Sequence, residues 1–161
     1  MQLAHIISIF FALSVTFNGF ASEIGQSDAE NNFKQGQAFY KDGKFDAAVY
    51  EFSKAISQLP DESRYHHWLA KSYGELAETS GWLKAVRLAK NSKESLKRAV
   101  ELDPENISAL KDLMRYYQQA PRFLGGNSKK AKGISIRLKE LKERNTHSFN
   151  NHHVTTLEHN S

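Results

Sequence analysis

Cysteine is absent from the 161-residue chain, and proline occurs only three times. Without cysteine, the chain can form no disulfide, hold no metal through a thiolate and carry no lipid on a thiol. The three prolines each follow a stretch of helical periodicity, which a proline ring ends because it cannot continue the hydrogen-bond ladder. The fold must therefore be held by packing, and ten Phe, six Tyr and two Trp residues supply large side chains for it.

The first 21 residues carry the pattern of a secretory signal peptide. Residues 3–20 are almost wholly apolar, and small residues ending at Ala21 precede the polar Ser22. This pattern predicts cleavage after Ala21 and a periplasmic or secreted location. Lys and Arg are missing from residues 1–5, so an uncleaved anchor is the alternative, although the apolar run is shorter than the ~20 residues of a membrane span.

Charge is distributed unevenly along the rest of the chain. Residues 22–63 contain eight acids and four bases, whereas the residues from 64 onward contain 18 bases and ten acids. Such asymmetry concerns the partners that a protein attracts rather than its fold. Because export argues against nucleic acid, the expected partners are acidic protein segments or anionic envelope surfaces.

Residues 29–62 form one 34-residue unit with small, aromatic and helix-ending residues at regular places. Two antiparallel helices need a small residue where they cross, an aromatic residue to fill the gap and a helix stop. The residues at places 8, 11, 20, 24, 27 and 32 of this unit are Gly36, Phe39, Ala48, Phe52, Ala55 and Pro60.

Residues 63–106 repeat this pattern around an insertion of ten residues. Their defining positions are Leu69, Ala70, Tyr73, Leu96, Ala99 and Pro104. The extra residues contain no proline and keep apolar residues at steps of three or four, which predicts longer helices. Both helices are expected to grow by more than a turn, with residues 79–81 as the turn between them. A third, less regular unit follows at residues 107–144.

This spacing resembles a tetratricopeptide repeat (TPR), which has the same period. The resemblance covers about residues 29–144 and implies an all-α, right-handed superhelix of three repeats, about six helices, with the second repeat lengthened. The chain is similar to exported bacterial TPR proteins and, more loosely, to the regulator of microtubule dynamics family. Stacked repeats of this kind present a groove to partners, so the resemblance implies a scaffold or adaptor.

Local signals predict the ends of the domain. Residues 22–28 are a polar linker, and Asp28 is the predicted N-cap of the first helix. Ser128 is the predicted cap of a last helix, which reaches about residue 144. The Asn- and His-rich residues 145–161 lack periodicity and are expected to be disordered.

The TPR resemblance implies that the first helix of each repeat lines the concave groove. The candidate groove residues are Phe33, Gln37, Tyr40, Arg64, His67, Lys71, Lys111 and Arg115. The four Lys and Arg side chains would bind carboxylates through charge-assisted hydrogen bonds, and the aromatic residues would add apolar anchors. The alternative is a solvated face whose charges only keep the protein soluble.

Other features favour structural interpretations. His66 falls at a position that is normally buried. Four His residues in the tail could bind a metal ion loosely, but no defined spacing completes a site. Gly125–Gly126 lacks the P-loop pattern and indicates a loop. The basic helix at residues 129–144 could lie on a membrane, although packing on the previous helix explains its narrow apolar stripe.

No nucleophile–base pair, metal motif or paired acids indicate catalysis, so the sequence predicts neither an enzyme nor a cofactor. The predicted function is a non-catalytic protein–protein interaction module that binds a peptide or protein segment in its groove. The alternative function is an envelope-associated protein that binds anionic lipid or polysaccharide through basic helices.

Overall fold

The computed structural model of the protein describes residues 26–158, with side chains described as far as residue 146. The predicted signal peptide and its cleavage site lie outside these residues. Within them the structure has six α-helices and no strand. The helices are α1 (26–41), α2 (Phe45–Gln58), α3 (Ser63–Glu78), α4 (Trp82–Leu102), α5 (Ile107–Gln119) and α6 (Ser128–Glu158), with a 3₁₀ turn at Arg122–Leu124.

Consecutive helices pack against each other from α2 to α6. Most of the connections are turns of three or four residues, which make neighbouring helices antiparallel. The result is the all-α helical array that the repeat spacing predicts. The predicted turn at residues 79–81 separates α3 from α4, but the insertion lengthens mainly one helix: α4 has 21 residues and α2 has 14, whereas α3 has only 16.

Aromatic rings form the core where the first repeat packs against the second. Phe33, Phe52 and Tyr65 are at most 3% exposed, and the half-buried Trp68 packs against them. Gly36 lies over Phe52, and a Cβ atom at residue 36 would come within 2.6 Å of the ring. This close approach explains why the crossing of α1 and α2 requires a residue without a side chain.

The remaining repeat-defining residues divide by burial. Ala48, Ala55, Leu69, Ala70, Leu96 and Ala99 are buried, Phe39 and Tyr73 are half-buried, and Pro60 and Pro104 are exposed beyond the ends of α2 and α4. The prolines therefore end helices without contributing to the core.

Small polar side chains join neighbouring helices inside the second repeat. The Ser63 hydroxyl donates a hydrogen bond to the carbonyl oxygen of Ala99 (2.8 Å), and the Ser92 hydroxyl donates to that of Ala70 (2.9 Å). Both serines are buried. They tie α3 to α4 at two levels while satisfying their own hydrogen-bonding groups.

The connection between α5 and α6 is a tight loop that depends on glycine. Gly125 has φ of 97°, in the left-handed region. A Cβ atom at Gly126 would overlap the carbonyl oxygen of Ala120. The Asn127 amide then donates to the carbonyl oxygen of Tyr117 (2.8 Å) and closes the loop onto the end of α5.

Three predicted ends differ from the structure. Helix α1 already includes residue 26, so Asp28 lies inside it rather than at its N-cap. Asn127, not Ser128, caps α6, because its side-chain oxygen accepts from the amide of Lys130 (2.9 Å). Helix α6 continues to Glu158 through residues for which the sequence predicts disorder. Those residues lack proline and glycine, and once a helix is nucleated each further residue adds a hydrogen bond.

Candidate functional site

The candidate groove residues lie on α1, α3 and α5, the first helices of the three repeats. Two neighbouring cavities, of about 500 and 430 Å³, run along this face. Lys71, Asp112 and Arg115 line both of them. The two cavities therefore adjoin on the face formed by the first helices of the repeats.

The smaller cavity is basic. It brings together all four predicted basic residues and His67 around one carboxylate, that of Asp112. Its lining residues are Arg64, His67, Trp68, Lys71, Asn106, Ser108, Lys111, Asp112 and Arg115. Four permanent cations facing one acid leave a strong positive potential, which favours an anionic ligand.

The larger cavity has the opposite balance of charge. Glu75, Glu78 and Asp112 line it together with only two bases, Lys71 and Arg115. Tyr40, a predicted groove residue, also lies here. The groove is thus polarised along its length, with a basic end toward the N-termini of α3 and α5 and an acidic end near the C-terminus of α3.

Asp112 links α3 to α5 at the point where the two cavities meet. Its carboxylate accepts a hydrogen bond from His67 Nε2 at 2.8 Å and pairs with Arg115 Nη1 at 3.2 Å. The hydrogen bond from His67 lowers the pKa of Asp112, and the positive charge of Arg115 acts in the same direction. His67 is only 8% exposed. It therefore positions Asp112 rather than offering itself to a ligand.

Lys71 stands over aromatic rings at the centre of the groove. Its ammonium nitrogen is 4.1 Å from the centroid of the Trp68 ring and 5.0 Å from that of Tyr40. These cation–π contacts orient the ammonium group without neutralising it. Among the side chains that the structure describes, neither Lys71 nor Lys111 has an ion-pair partner.

Tyr40 connects the first repeat to the second. Its hydroxyl donates a hydrogen bond to Glu75 Oε1 at 2.9 Å. Burial, reinforced by this bond to a carboxylate, raises the pKa of Tyr40 to about 12. The phenol therefore stays neutral through the physiological range and holds Glu75 at the acidic end of the groove.

Three candidate residues occupy positions that limit their use by a ligand. Phe33 is 3% exposed and belongs to the aromatic core, so the prediction that it anchors a ligand is wrong. Arg64 pairs with Glu62 at 3.1 Å and Glu30 at 3.4 Å, and the Glu62 hydrogen bond raises the pKa of Arg64. Gln37 is half-buried and lines neither cavity.

Sequence reasoning missed three residues that shape the groove: Trp68, Asp112 and Glu78. Trp68 falls between the places that the repeat pattern assigns to the groove. Asp112 stands three residues before Arg115, on the same face of α5, and this spacing could have indicated an internal ion pair. Nothing local distinguishes Glu78 from other exposed acids.

The other residues considered in the sequence analysis form no binding site among the described residues. His66 is half-buried, and its Nε2 donates to the carbonyl oxygen of Pro60 at 2.7 Å. No group of three or more His, Asp or Glu side chains within the described part of the chain could hold a metal ion. The side chains of the tail histidines lie outside that part. Between residues 26 and 158, no helix combines the length and apolar character needed to cross a membrane.

Comparison with solved structures identifies the fold. The chain is similar to human IFIT1, in a structure of its dimer with PPP-AAAA, with a TM-score of 0.56 and 23% identity over 64% of this chain and 23% of that chain. The chain has a TPR fold. It is also similar to the Arabidopsis OM64 TPR domain, with a TM-score of 0.48 and 19% identity over 72% of this chain and 98% of that domain.

The repeat spacing and the structure both indicate the TPR fold, whereas comparison with known families and curated proteins does not detect it. No protein-family model matches the chain, and no curated protein matches it. The chain spans less than a quarter of the IFIT1 chain. The similarity to IFIT1 therefore shows the fold alone, and a ligand must be inferred from the side chains that line the cavities.

Proposed function

We propose that the protein is a non-catalytic interaction module, a scaffold or adaptor, whose groove binds an acidic or carboxylate-terminated segment of a partner protein. The observation that carries the proposal is the basic cavity, in which Arg64, Lys71, Lys111 and Arg115 surround the single carboxylate of Asp112. TPR arrays generally use such concave surfaces to bind partners.

The four bases contribute unequally to this site. Arg115 is partly neutralised by Asp112 and Arg64 by two glutamates. Lys71 and Lys111 are the principal donors, because neither is paired within the part of the chain that the structure describes. An exposed ion pair contributes only about 0–1 kcal/mol, so the site depends on several donors acting on one ligand.

The acidic end of the groove determines the orientation in which a peptide segment binds. Glu75 and Glu78 lie beyond Lys71 in the larger cavity, where they repel a second carboxylate. The segment that fits best carries its carboxylate against Lys71 and Lys111, and a neutral or basic residue toward Glu78. An apolar side chain between them would contact Tyr40, which lines the larger cavity with Lys71 and Glu78.

Peptide titration tests this proposal. A peptide ending in two carboxylates should bind the wild type. The double variant Lys71→Ala/Lys111→Ala should lose about tenfold in affinity, because two charge-assisted contacts of about 1 kcal/mol each are removed. Lys34→Ala, at an exposed site on α1 outside both cavities, is the matched control. Equal affinities for the double variant and the wild type would rule out the clamp.

A second titration tests the class of ligand. The human IFIT1 structure contains PPP-AAAA, a ligand whose charge is also negative. We expect PPP-AAAA to leave peptide binding unchanged at concentrations that saturate the peptide site. Displacement of the peptide with higher affinity would show that the basic cavity serves a nucleotide ligand instead.

We further propose that the protein works in a periplasm or outside the cell. This proposal is supported by the apolar residues 3–20, which are followed by small residues ending at Ala21. N-terminal sequencing of the protein recovered from the exported fraction should begin at Ser22. A protein that is retained in the cytoplasm with its first residues intact would contradict export.

A further inference from the structure

Two large apolar side chains are exposed side by side where α4 begins. Trp82 is 70% exposed and Leu83 is 75% exposed, immediately after the turn at residues 79–81. Single exposed apolar residues are ordinary on protein surfaces, but an adjacent pair at the end of a helical hairpin forms a compact apolar patch. Such a patch is suited to insertion into an apolar phase.

Basic residues follow this apolar pair along α4. Lys84, Arg87 and Lys90 are exposed, and none of them forms an ion pair with a side chain in the described part of the chain. Leu83, Arg87 and Lys90 follow the i, i+4, i+7 spacing of one helix face. Between residues 70 and 91, Glu78 is the one exposed acid, so this segment of the chain has a net positive charge.

The backbone adds to the positive charge at this end. The first turn of α4 contains no acidic residue, and the N-cap residue Gly81 has no side chain to cap the amide groups. The helix dipole is therefore not compensated there. It reinforces the potential of Lys84 and Arg87.

We propose that this surface, the α4 tip (Trp82, Leu83, Lys84, Arg87 and Lys90), docks on an anionic lipid bilayer. Trp side chains favour the level of the lipid headgroups, where the indole ring is half in water. Leu83 reaches the acyl boundary, and the three bases contact lipid phosphates. A planar layer of negative charge over an apolar interior matches both features of the α4 tip.

The α4 tip is separate from the peptide groove and from the basic face of α6. None of its five residues lines either groove cavity. On α6, the large apolar side chain that is most exposed is Ile136, at 54%, and no Trp or Phe accompanies it in residues 128–146. The two surfaces can therefore be tested independently.

Vesicle co-sedimentation of the full chain provides the main test. The wild type should bind vesicles of phosphatidylcholine and phosphatidylglycerol in equal parts, and bind pure phosphatidylcholine weakly. Trp82→Ala/Leu83→Ala should weaken partitioning by at least about tenfold, because two large apolar side chains are removed from the interface. Tyr50→Ala, which removes a 63%-exposed ring from α2, is the control and should bind like the wild type.

Two charge-reversal variants, one on each surface, show whether the α4 tip or α6 binds the vesicles. Lys84→Glu/Arg87→Glu should abolish the preference for anionic vesicles, whereas Lys129→Glu/Lys132→Glu on α6 should retain most of it. The proposal is overturned if the wild type fails to sediment, or if the α6 pair loses binding while either α4 pair retains it. Circular dichroism of each variant confirms that the helices are intact.

Tryptophan fluorescence tests directly whether Trp82 inserts into the lipid. The chain has only two tryptophans, so the emission can be assigned by one substitution. The wild-type emission should shift to the blue on anionic vesicles, and Trp82→Phe should still sediment but show no shift. A shift that persists in Trp82→Phe would arise from Trp68, and would overturn insertion of the α4 tip.

Discussion

The first and last repeats pack against the second repeat through different kinds of side chain. At the first contact, the ring centroid of Phe33 lies 4.7 Å from that of Tyr65 and 6.4 Å from that of Trp68, next to the fully buried Phe52. At the last contact, small and aliphatic residues pack around one buried ring. The buried members of this cluster are Ala70, Leu96, Leu113, Tyr117 and Ala131. The difference shows that repeats of one fold can pack through aromatic rings at one contact and mainly through aliphatic side chains at the next.

Removing a core side chain from each region should show this difference most clearly. We expect Phe52→Ala to lower the free energy of unfolding by about 3–5 kcal/mol, because a fully buried ring is lost and a cavity remains. Leu141→Ala, at a residue that is 3% exposed on α6, should cost about 2–3 kcal/mol. Urea denaturation followed by circular dichroism gives both values.

The outcome of this pair has a simple control. Phe123 is 70% exposed, so Phe123→Ala should change the free energy of unfolding by less than about 0.5 kcal/mol. If Leu141→Ala were more destabilising than Phe52→Ala, the aromatic cluster would not be the more stable region.

One substitution should have opposite effects in the two repeats. Gly36→Ala pushes a Cβ atom to within 2.6 Å of the Phe52 ring, and overpacking of this kind costs about 1–3 kcal/mol. Gly133→Ala meets no atom within 4 Å and should stabilise α6 by up to about 1 kcal/mol through helix propensity. Thermal unfolding of the two variants measures the direction in which each substitution changes the melting temperature. Equal shifts in the same direction would show that packing around Gly36 can relax.

These contrasts also show what the sequence could and could not predict. The 34-residue spacing predicts the hairpins because Gly36 and Phe52 fall where two helices must cross. The predicted repeat places also bring Arg64, Lys71, Lys111 and Arg115 to one cavity. Periodicity alone is sufficient for these features, because it fixes which side of a helix each residue occupies.

Features that depend on contacts between residues distant in the chain could not be predicted from the sequence. The place assigned to Phe33 belongs to the groove in the repeat pattern, yet the ring turns into the core to meet Tyr65. The pairing of Asp112 with His67 joins residues 45 positions apart, so no local signal reports it. The ten inserted residues lengthen mainly α4, which has 21 residues where α2 has 14.

The smallest expected effect is a difference in alkaline stability. The pKa of Tyr40 is raised to about 12 in the folded state by burial and by Glu75, while an unfolded tyrosine titrates near 10. This contribution to stability is complete below pH ~10 and is lost as the pH rises toward about 12. We therefore expect Tyr40→Phe to lose stability less steeply across this window.

Denaturation at a series of alkaline pH values measures the slope. Tyr50 belongs to the same repeat and is 63% exposed, so Tyr50→Phe is the matched control and should follow the wild-type curve. If Tyr40→Phe and the wild type had the same slope, the hydrogen bond between the first and second repeats would not persist in solution.

The loop before α6 limits which mutations the gene can tolerate. Any amino acid other than glycine at residue 126 would bring a Cβ atom into the carbonyl oxygen of Ala120. Every missense change of that codon should therefore distort the loop and displace α6 from its packed position. In a library of random mutants selected for correct folding, codon 126 should remain nearly invariant, while codon 133, whose glycine meets no neighbouring atom, should accept many replacements.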